Sequence, residues 1–392
     1  MLRLRPHKHL AFVARHPWVL AKSLEEPATP LASGAAVDVE GANGRFVARG
    51  IYNPQSHIRV RLYTWDASEP LDGAFWRRGI ERAVRLRREL GYDDPTGAAR
   101  LVFSESDGLS GLIVDRYGDW LVAQITALAV DSRLDEILPI LAEVAKPRGI
   151  FVRTDAKIAA AEGMAPRDGL AWGEPPAGPL SIRENGLSFA VDLLGGQKTG
   201  LYLDQRENRR VAAHYFRGRD VLDMCCYAGG FSLAAAKLGG ARQVLGVDDS
   251  AKAVEQARVN AAANGIENAE FQTGECFETL ESLRDAGRRF GGIVLDPPRF
   301  AGSRHGVDQA LRAYFRLNRL ALELLEPEGI LVTCSCSGRV TREDFRQMLA
   351  GAAQKAGRDL QLLEARGPSP DHPVRFSCPE TDYLKCYICR VA

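Results

Sequence analysis

The sequence predicts an α/β protein: a doubly wound, largely parallel seven-stranded sheet in the C-terminal half, preceded by a β-rich module and a small central α+β domain. Three observations carry this. After Leu180, short apolar runs alternate with helical patterns, as stacked β–α units require. Residues 1–72 instead hold short β-branched or alternating runs broken by Gly34, Gly41–Gly44 and Asn53-Pro54. The run GEPPAGP at 173–179 punctuates the boundary between the two regimes. The expected domains are 1–72, 73–180 and 181–392.

The first module is expected to be built on AAVDVEG, RFVARGIY and HIRVRLYTW. In the last of these a period of two puts Ile58, Val60, Leu62 and Thr64 on one face and Arg59, Arg61 and Tyr63 on the other. Asp66–Gly73 reads as a linker. Phe75–Leu90 has helical spacing, with Trp76, Ile80, Ala83 and Val84 in one stripe and Arg78, Arg82 and Arg85 in another. The middle domain mixes the strands LVFSE, GLIVDRY, WLVAQIT and GIFVRT with a helix near Ser132–Val144. The seven later strands are VLDMC (221–225), QVLGVD (243–248), AEFQT (269–273), GIVLD (292–296), GILVTC (329–334), DLQLLEA (359–365) and DYLKCYICRVA (382–392). Helices fill the gaps, among them Ser250–Asn264, stopped by Asn264-Gly265.

Composition narrows the function classes. With 392 residues, 45% of them hydrophobic and 26% charged, the chain is an ordinary globular one rather than a disordered one. No apolar stretch approaches the ~18 residues that span a bilayer, and the N-terminus lacks the apolar core of a secretory signal. The cytoplasm is therefore the expected setting. Eight cysteines are too sparse for a disulfide scaffold and are expected as buried, metal-binding or catalytic thiols. The net charge of +1 hides an uneven distribution. Arg3, Arg5, Lys8, Arg15 and Lys22 stand in an acid-free N-terminus, and the 75–90 helix is rich in arginine. These patches fit a local polyanion footprint, or a solvated helix face.

Four motifs carry chemistry. In DMCCYAGGFS, Asp223 closes a strand and Gly229-Gly230 opens a helix, where a ligand can approach the backbone. Asp248 ends the next strand, where a carboxylate can accept from ribose hydroxyls. A nicotinamide-cofactor fold competes here, but its G-x-G-x-x-G is absent. In DPPRF, two prolines hold a rigid extended backbone just past Asp296. In TCSCSG, Cys334 and Cys336 lie at the carboxyl end of the next strand, facing the same crevice. The fourth motif, GGQKTGLYLDQREN (195–208), is dense in amides and charges, and its spacing does not say what it binds. Cys386 and Cys389 form a C-x-x-C, a spacing that zinc sites use. Within one strand their side chains point to opposite faces, so no metal is expected.

In this order, the motifs resemble one family closely: the bacterial ribosomal RNA large-subunit (23S) cytosine-5 methyltransferases with an N-terminal PUA domain. The resemblance runs from HPWVL (16–20) and FVARGIYNPQSHIRVRL (46–62) through GLIVDRYG, QKTGLYLDQREN, YAGGFS, LDPPRF and SCSG to DHP (371–373) and YLK (383–385). It implies a class I methyltransferase fold for 181–392, a PUA module near 1–72, and S-adenosyl-L-methionine as cofactor. By resemblance, Gln197, Lys198, Thr199, Asp204 and Gln205 close the cofactor pocket, with Asp223 and Tyr227 in the loop. Asp248 takes the ribose and Gly229 sits against the amino-acid part. Relatives carry an acidic pair after the third strand; here it reads Gly274-Glu275, leaving Glu275 as the adenine candidate.

Relatives' spacing from Gly329 selects Cys336, not Cys334, as nucleophile. In the broader superfamily a second cysteine often follows the D-x-P motif; here Arg299 stands there, which implies a one-cysteine chemistry. The expected reaction is methylation of carbon 5 of an unpaired or flipped cytosine through a covalent Cys336 adduct, with Asp296 on the base edge and also lining the cofactor site. Arg59, Arg61, Arg78, Arg82, Arg85, Arg299 and Phe300 are the expected RNA contacts, and a homodimer is one expected assembly. Two other readings stay open: a ribosomal RNA methyltransferase acting on guanine, and a catalytically idle RNA-binding assembly factor.

Overall fold

A computed structural model of the chain describes residues 1–27, 29–193, 201–300 and 306–392. The alternation after Leu180 resolves into a mixed seven-stranded sheet, numbered here within that sheet: β1 (Asp220–Met224), β2 (Gln243–Asp248), β3 (Ala269–Thr273), β4 (Phe290–Leu295), β5 (Leu325–Ser335), β6 (Leu360–Arg366) and β7 (Lys385–Val391). The strand order is β3-β2-β1-β4-β5-β7-β6. The first five strands pair in parallel. β7 runs antiparallel between β5 and β6, which is where the sheet departs from purely parallel. Parallel strands covered on both faces read as unbroken apolar runs, and every residue of β4 is buried. The order reverses between β1 and β4, so the carboxyl ends of β1, β4 and β5 open onto a topological switch point.

Local signals set the helix ends. Ser250 Oγ accepts from Ala253 N and starts the helix Ala251–Ala263; Asn264 caps its end, and Gly265 follows with φ 61°. Thr341 and Asp344 form a reciprocal capping box on Arg342–Lys355. That helix and Val307–Leu324 bury Phe345, Tyr314 and Leu317 against Ile293, Leu331 and Tyr387 of the sheet.

The chain packs as two units, one built on Met1–Ile182 with Pro370–Thr381, the other on Arg183–Val191, Leu201–Ser369 and Asp382–Ala392. The first unit holds two five-stranded sheets. One comprises Leu2–Arg3, Trp18–Leu20, Ala36–Glu40, Phe46–Tyr52 and Ile58–Thr64; the other comprises Ala98–Phe103, Leu112–Tyr117, Trp120–Ile125, Gly149–Arg153 and Asp168–Gly173. The helix Gly73–Glu89 begins where the linker was expected to end, with Asp72 accepting from Phe75 N at 2.9 Å. The DHP motif belongs to this unit. Asp371 Oδ2 accepts from Arg100 N at 3.0 Å, and its carbonyl accepts from Arg87 Nη2 at 2.9 Å.

The second face of Ile58–Thr64 corrects an expectation. Val60 and Leu62 pack into the first module's core, as the alternation predicts. Arg61 and Tyr63, on the other face, are also buried, at 8% and 6% exposure. Arg61 donates to Glu105 and Ser110 through Nη1 and to Glu162 through Nη2, while Tyr63 Oη donates to Ser110 O at 2.6 Å. A period of two marks two faces but cannot tell water from a neighbouring module. Arg61 is thus held by the carboxylates of Glu105 and Glu162 and is not presented to solvent as the expected RNA contact would be.

Candidate functional site

Asp223, near the end of β1, is 1% exposed. Ser232 Oγ donates to its Oδ2 at 2.6 Å, while among the described residues Oδ1 is buried without a hydrogen-bond partner. Burial first, and then the nearby Asp296, push this carboxyl up to about 7. An orphaned buried acceptor at a strand's carboxyl end is the kind of group that a polar ligand satisfies. The loop after it is held in sparsely populated backbone conformations, with φ of 62° at Cys225, 49° at Tyr227 and 82° at Gly229. A β-carbon on Gly229 would also lie 2.7 Å from Leu233 Cδ1, so glycine is required there. Asp248 braces this loop: it accepts from Tyr227 N at 2.9 Å and from Ser250 N at 3.0 Å. Its own pKa is raised, chiefly by burial. Glu275 is exposed and accepts from Glu278 N at 2.8 Å, capping the helix Cys276–Asp285.

Asp296 follows β4. Gln205 Nε2 donates to its Oδ1 at 2.9 Å, and Gln205 Oε1 is fixed in turn by Asn208 Nδ2 at 2.6 Å. Burial, together with the charge of Asp204, raises Asp296 to about 7, against the lowering effects of Gln205 and Arg209. Asp204 accepts from Tyr383 Oη at 2.5 Å. Arg209 is buried and bidentate on Glu184, both bonds at 2.7 Å, and also donates to Tyr202 O. The sequence reading missed Arg209, Tyr383 and Lys385. The first adjoins a singled-out motif and the other two lie within the YLK motif, but their roles exist only through partners distant in the chain.

The two cysteines of TCSCSG part company. Cys334 lies inside β5 and is fully buried, directly opposite Cys386 of β7. Cys336 lies just beyond the last β5 residue and is half-buried, its Sγ 3.9 Å from the carbonyl oxygen of Pro297, the residue after Asp296. Cys336 and Asp296 therefore lie just past the ends of neighbouring strands, while the Cys334 thiol hydrogen-bonds the Asp296 carboxyl. Burial, Asp296 and Asp204 push the Cys336 thiol up to about 11, and Lys385 opposes them.

Arg299 is exposed beside this site. Phe300 is half-buried, its ring edge-on to Tyr314 at 4.8 Å. In the other unit Arg59 is half-buried and donates to Asn53 O, whereas Arg78, Arg82 and Arg85 form an exposed stripe. Arg87 of the same helix is buried and bidentate on Asp107, at 2.6 and 2.8 Å. Gln197, Lys198 and Thr199 lie outside the described residues. Cys386 and Cys389 sit three apart in β7, on opposite faces. Among the described residues one set of metal-ligating groups comes together, His16, Cys378 and Glu380, where His16 Nε2 is 3.3 Å from Glu380 Oε2.

A 3-2-1-4-5-7-6 sheet with acids closing β1 and β2, and a third just past β4, defines a class I S-adenosylmethionine-dependent methyltransferase, here joined to a PUA-like domain. Family models agree: residues 165–375 match S-adenosylmethionine-dependent methyltransferase and residues 2–65 match a PUA-like domain. The chain is 40% identical to ribosomal RNA large subunit methyltransferase I of Shewanella denitrificans, over 100% of this chain and 99% of that one. It is 38% identical to the protein of that name from Klebsiella pneumoniae, over 100% and 98%. The chain belongs to the ribosomal RNA large subunit methyltransferase I family. Its fold is shared with a methyltransferase solved in complex with SAH, at a TM-score of 0.87 and 21% identity over 100% of this chain and 99% of that one. A methyltransferase from Streptococcus mutans gives 0.86 at 21% identity, with the same coverage. The orphaned Asp223 oxygen, the left-handed loop and Asp248 fit the cofactor this family uses. Among the described residues no helix is long and apolar enough to cross a membrane.

Proposed function

We propose that this protein methylates carbon 5 of a cytosine in ribosomal RNA of the large subunit through a covalent adduct on Cys336, in the cytoplasm. The observation that carries the reading is the thiol of Cys336 just past β5, 3.9 Å from the carbonyl of the residue after Asp296. Carbon 5 of cytosine is a weak nucleophile. Addition of the Cys336 thiolate to carbon 6 breaks the 5,6 double bond and leaves carbon 5 enamine-like, splitting one hard step into easier ones. Asp223, Asp248 and the loop between them would hold S-adenosylmethionine, which when bound would supply an electrophilic methyl group. Asp296, with its pKa near 7, can present a proton to N3 of the base and so neutralise the charge that addition places on the ring. Carbon 5 would take the methyl group, leaving S-adenosylhomocysteine; loss of the carbon 5 proton to a base then restores the double bond and expels the thiolate, and N3 returns its proton to Asp296. Such an adduct needs the base out of its stack. The relatives' name supports ribosomal RNA as substrate, and the PUA-like domain with the Arg78, Arg82, Arg85 stripe supplies basic surface for it.

The test is an RNA substrate with 5-fluorocytosine at the target, where fluorine blocks the final proton loss. A protein–RNA complex should form, survive denaturing electrophoresis and vanish in Cys336→Ala. Cys334→Ala should lower the rate only modestly, since that thiol packs against Cys386 and touches the carboxyl of Asp296 but lies inside the strand. Near-normal methylation by Cys336→Ala would overturn the covalent route and put guanine methylation first.

A further inference from the structure

Lys385 opens β7 and is 1% exposed. Lysine is rarely buried so deeply without an anion. The antiparallel register sets Lys385 opposite Ser335, the last residue of β5 and the neighbour of Cys336. Its Nζ donates to Ser337 O at 2.7 Å and to Tyr383 O at 2.9 Å. Those carbonyls use two of its three N–H groups. Among the described residues no carboxylate forms an ion pair with it. Asp382, the nearest acid in sequence, is held by Arg342 Nη2 at 2.8 Å and Nε at 3.1 Å. The ammonium is thus fixed by the backbone beside Cys336, with one donor left over and no counter-ion among the described residues.

We propose that Lys385 is a positioning residue for the nucleophile: it fixes the Cys336–Ser337 turn and supplies the positive charge that stabilises the Cys336 thiolate. This rests on the reading of Cys336 as nucleophile. A buried ammonium without a carboxylate is costly, and an anion that forms only during the reaction accounts for its retention. Asp296 and Asp204 disfavour the Cys336 thiolate, and Lys385 is a cation that opposes them. Around Lys385, burial lowers its pKa to about 8, Cys336 and Asp382 raise it, and Arg342 and Arg299 lower it. Near neutral pH the ammonium form therefore predominates.

The experiment is iodoacetamide labelling of the full chain across a pH series, with the Cys336 peptide quantified by mass spectrometry. Cofactor affinity is measured alongside. Lys385→Met should move the midpoint of Cys336 labelling up by about one pH unit or more, slowing it about tenfold near neutrality because the thiolate is the reactive form. Lys385→Arg, which keeps the charge, should stay near the wild-type midpoint. An unchanged midpoint in Lys385→Met overturns the inference even if stability falls. If the Met variant does not fold, the Arg variant carries the test, and a large upward shift in it overturns the inference. Failure of the underlying reading looks different: the wild type then forms no 5-fluorocytosine adduct. An adduct that forms with the same pH dependence in wild type and Lys385→Met sinks this inference alone.

Discussion

Gln205 Nε2 donates to Asp296 Oδ1 at 2.9 Å, joining the amide-rich 195–208 segment to the carboxylate of Asp-Pro-Pro. A donor on a carboxylate favours its charged form, so this hydrogen bond holds the Asp296 pKa below what burial alone would set. Gln205→Ala should move that pKa upward. If the protonated carboxyl serves the base edge, the alkaline limb of the methylation rate should move to higher pH. The maximal rate should fall about fivefold from poorer positioning, the scale of one neutral hydrogen bond. A pH–rate profile with an unmoved alkaline limb would separate Asp296 from the proton that the reaction needs.

Asp223 gives a prediction about stability. Its folded pKa is raised from 3.8 to about 7 by burial. A raised carboxyl contributes stability that is full below the unfolded value and is lost as pH rises through the folded one. The window therefore runs from about pH 4 to about pH 7. Asp223→Asn cannot ionise and should escape that loss. In cofactor-free protein, its stability relative to wild type should improve by on the order of 3–4 kcal/mol between pH 4 and pH 8. Urea denaturation at the two pH values measures the difference, and a constant offset would mean the folded carboxyl is not raised.

Asp248 does two things at once. Its oxygens accept from Tyr227 N and Ser250 N, so it shapes the loop as well as closing β2. Asp248→Ala should weaken S-adenosylmethionine binding by about 1.5–3 kcal/mol, the scale of hydrogen bonds to a charged group. Asp248→Asn, which keeps an acceptor for the loop, should lose less. Calorimetry showing equal affinity for wild type and Asp248→Ala would remove the residue from the cofactor site.

The catalytic sheet was legible because parallel strands must be apolar throughout and helices must be capped. β2 and β3 fall on the residues their sequence predicts, and Ser250 and Asn264 cap the helix read between them. The strands Leu2–Arg3 and Trp18–Leu20 were not legible, being too short to show a period. The acids of the site could be read from their places at strand ends. Tyr383 and Lys385 could not, because a lysine in an alternating strand looks like a solvent-facing one until the register sets it beside Cys336. Arg61 failed in the opposite direction: its face was read as basic surface, and Glu105 and Glu162 lie far from it in sequence.

That failure separates two kinds of arginine. Arg61 is 8% exposed and held between Glu105 and Glu162 at 3.2 and 3.3 Å. Arg61→Ala leaves the buried Glu162 and the half-buried Glu105 without this cation, which should destabilise the protein by about 3–5 kcal/mol. It should leave the salt dependence of RNA binding unchanged, since this guanidinium touches no phosphate. Arg78, Arg82 and Arg85 stand exposed on one helix, with Arg78 only 2.7 Å from Glu69 and Arg85 3.8 Å from Glu89. Such surface pairs are worth about 0–1 kcal/mol, so neutralising the stripe should barely change stability. Binding RNA is another matter. Each phosphate that the stripe no longer neutralises should flatten the fall of log affinity with log salt by about 0.7 on a single strand, and by about 0.9 at the charge density of a B-form duplex. The triple Gln variant should therefore bind RNA more weakly at low salt and converge on wild type at high salt. Parallel titration curves for the two would make the stripe a solvated helix face and leave the acid-free N-terminus to hold the RNA.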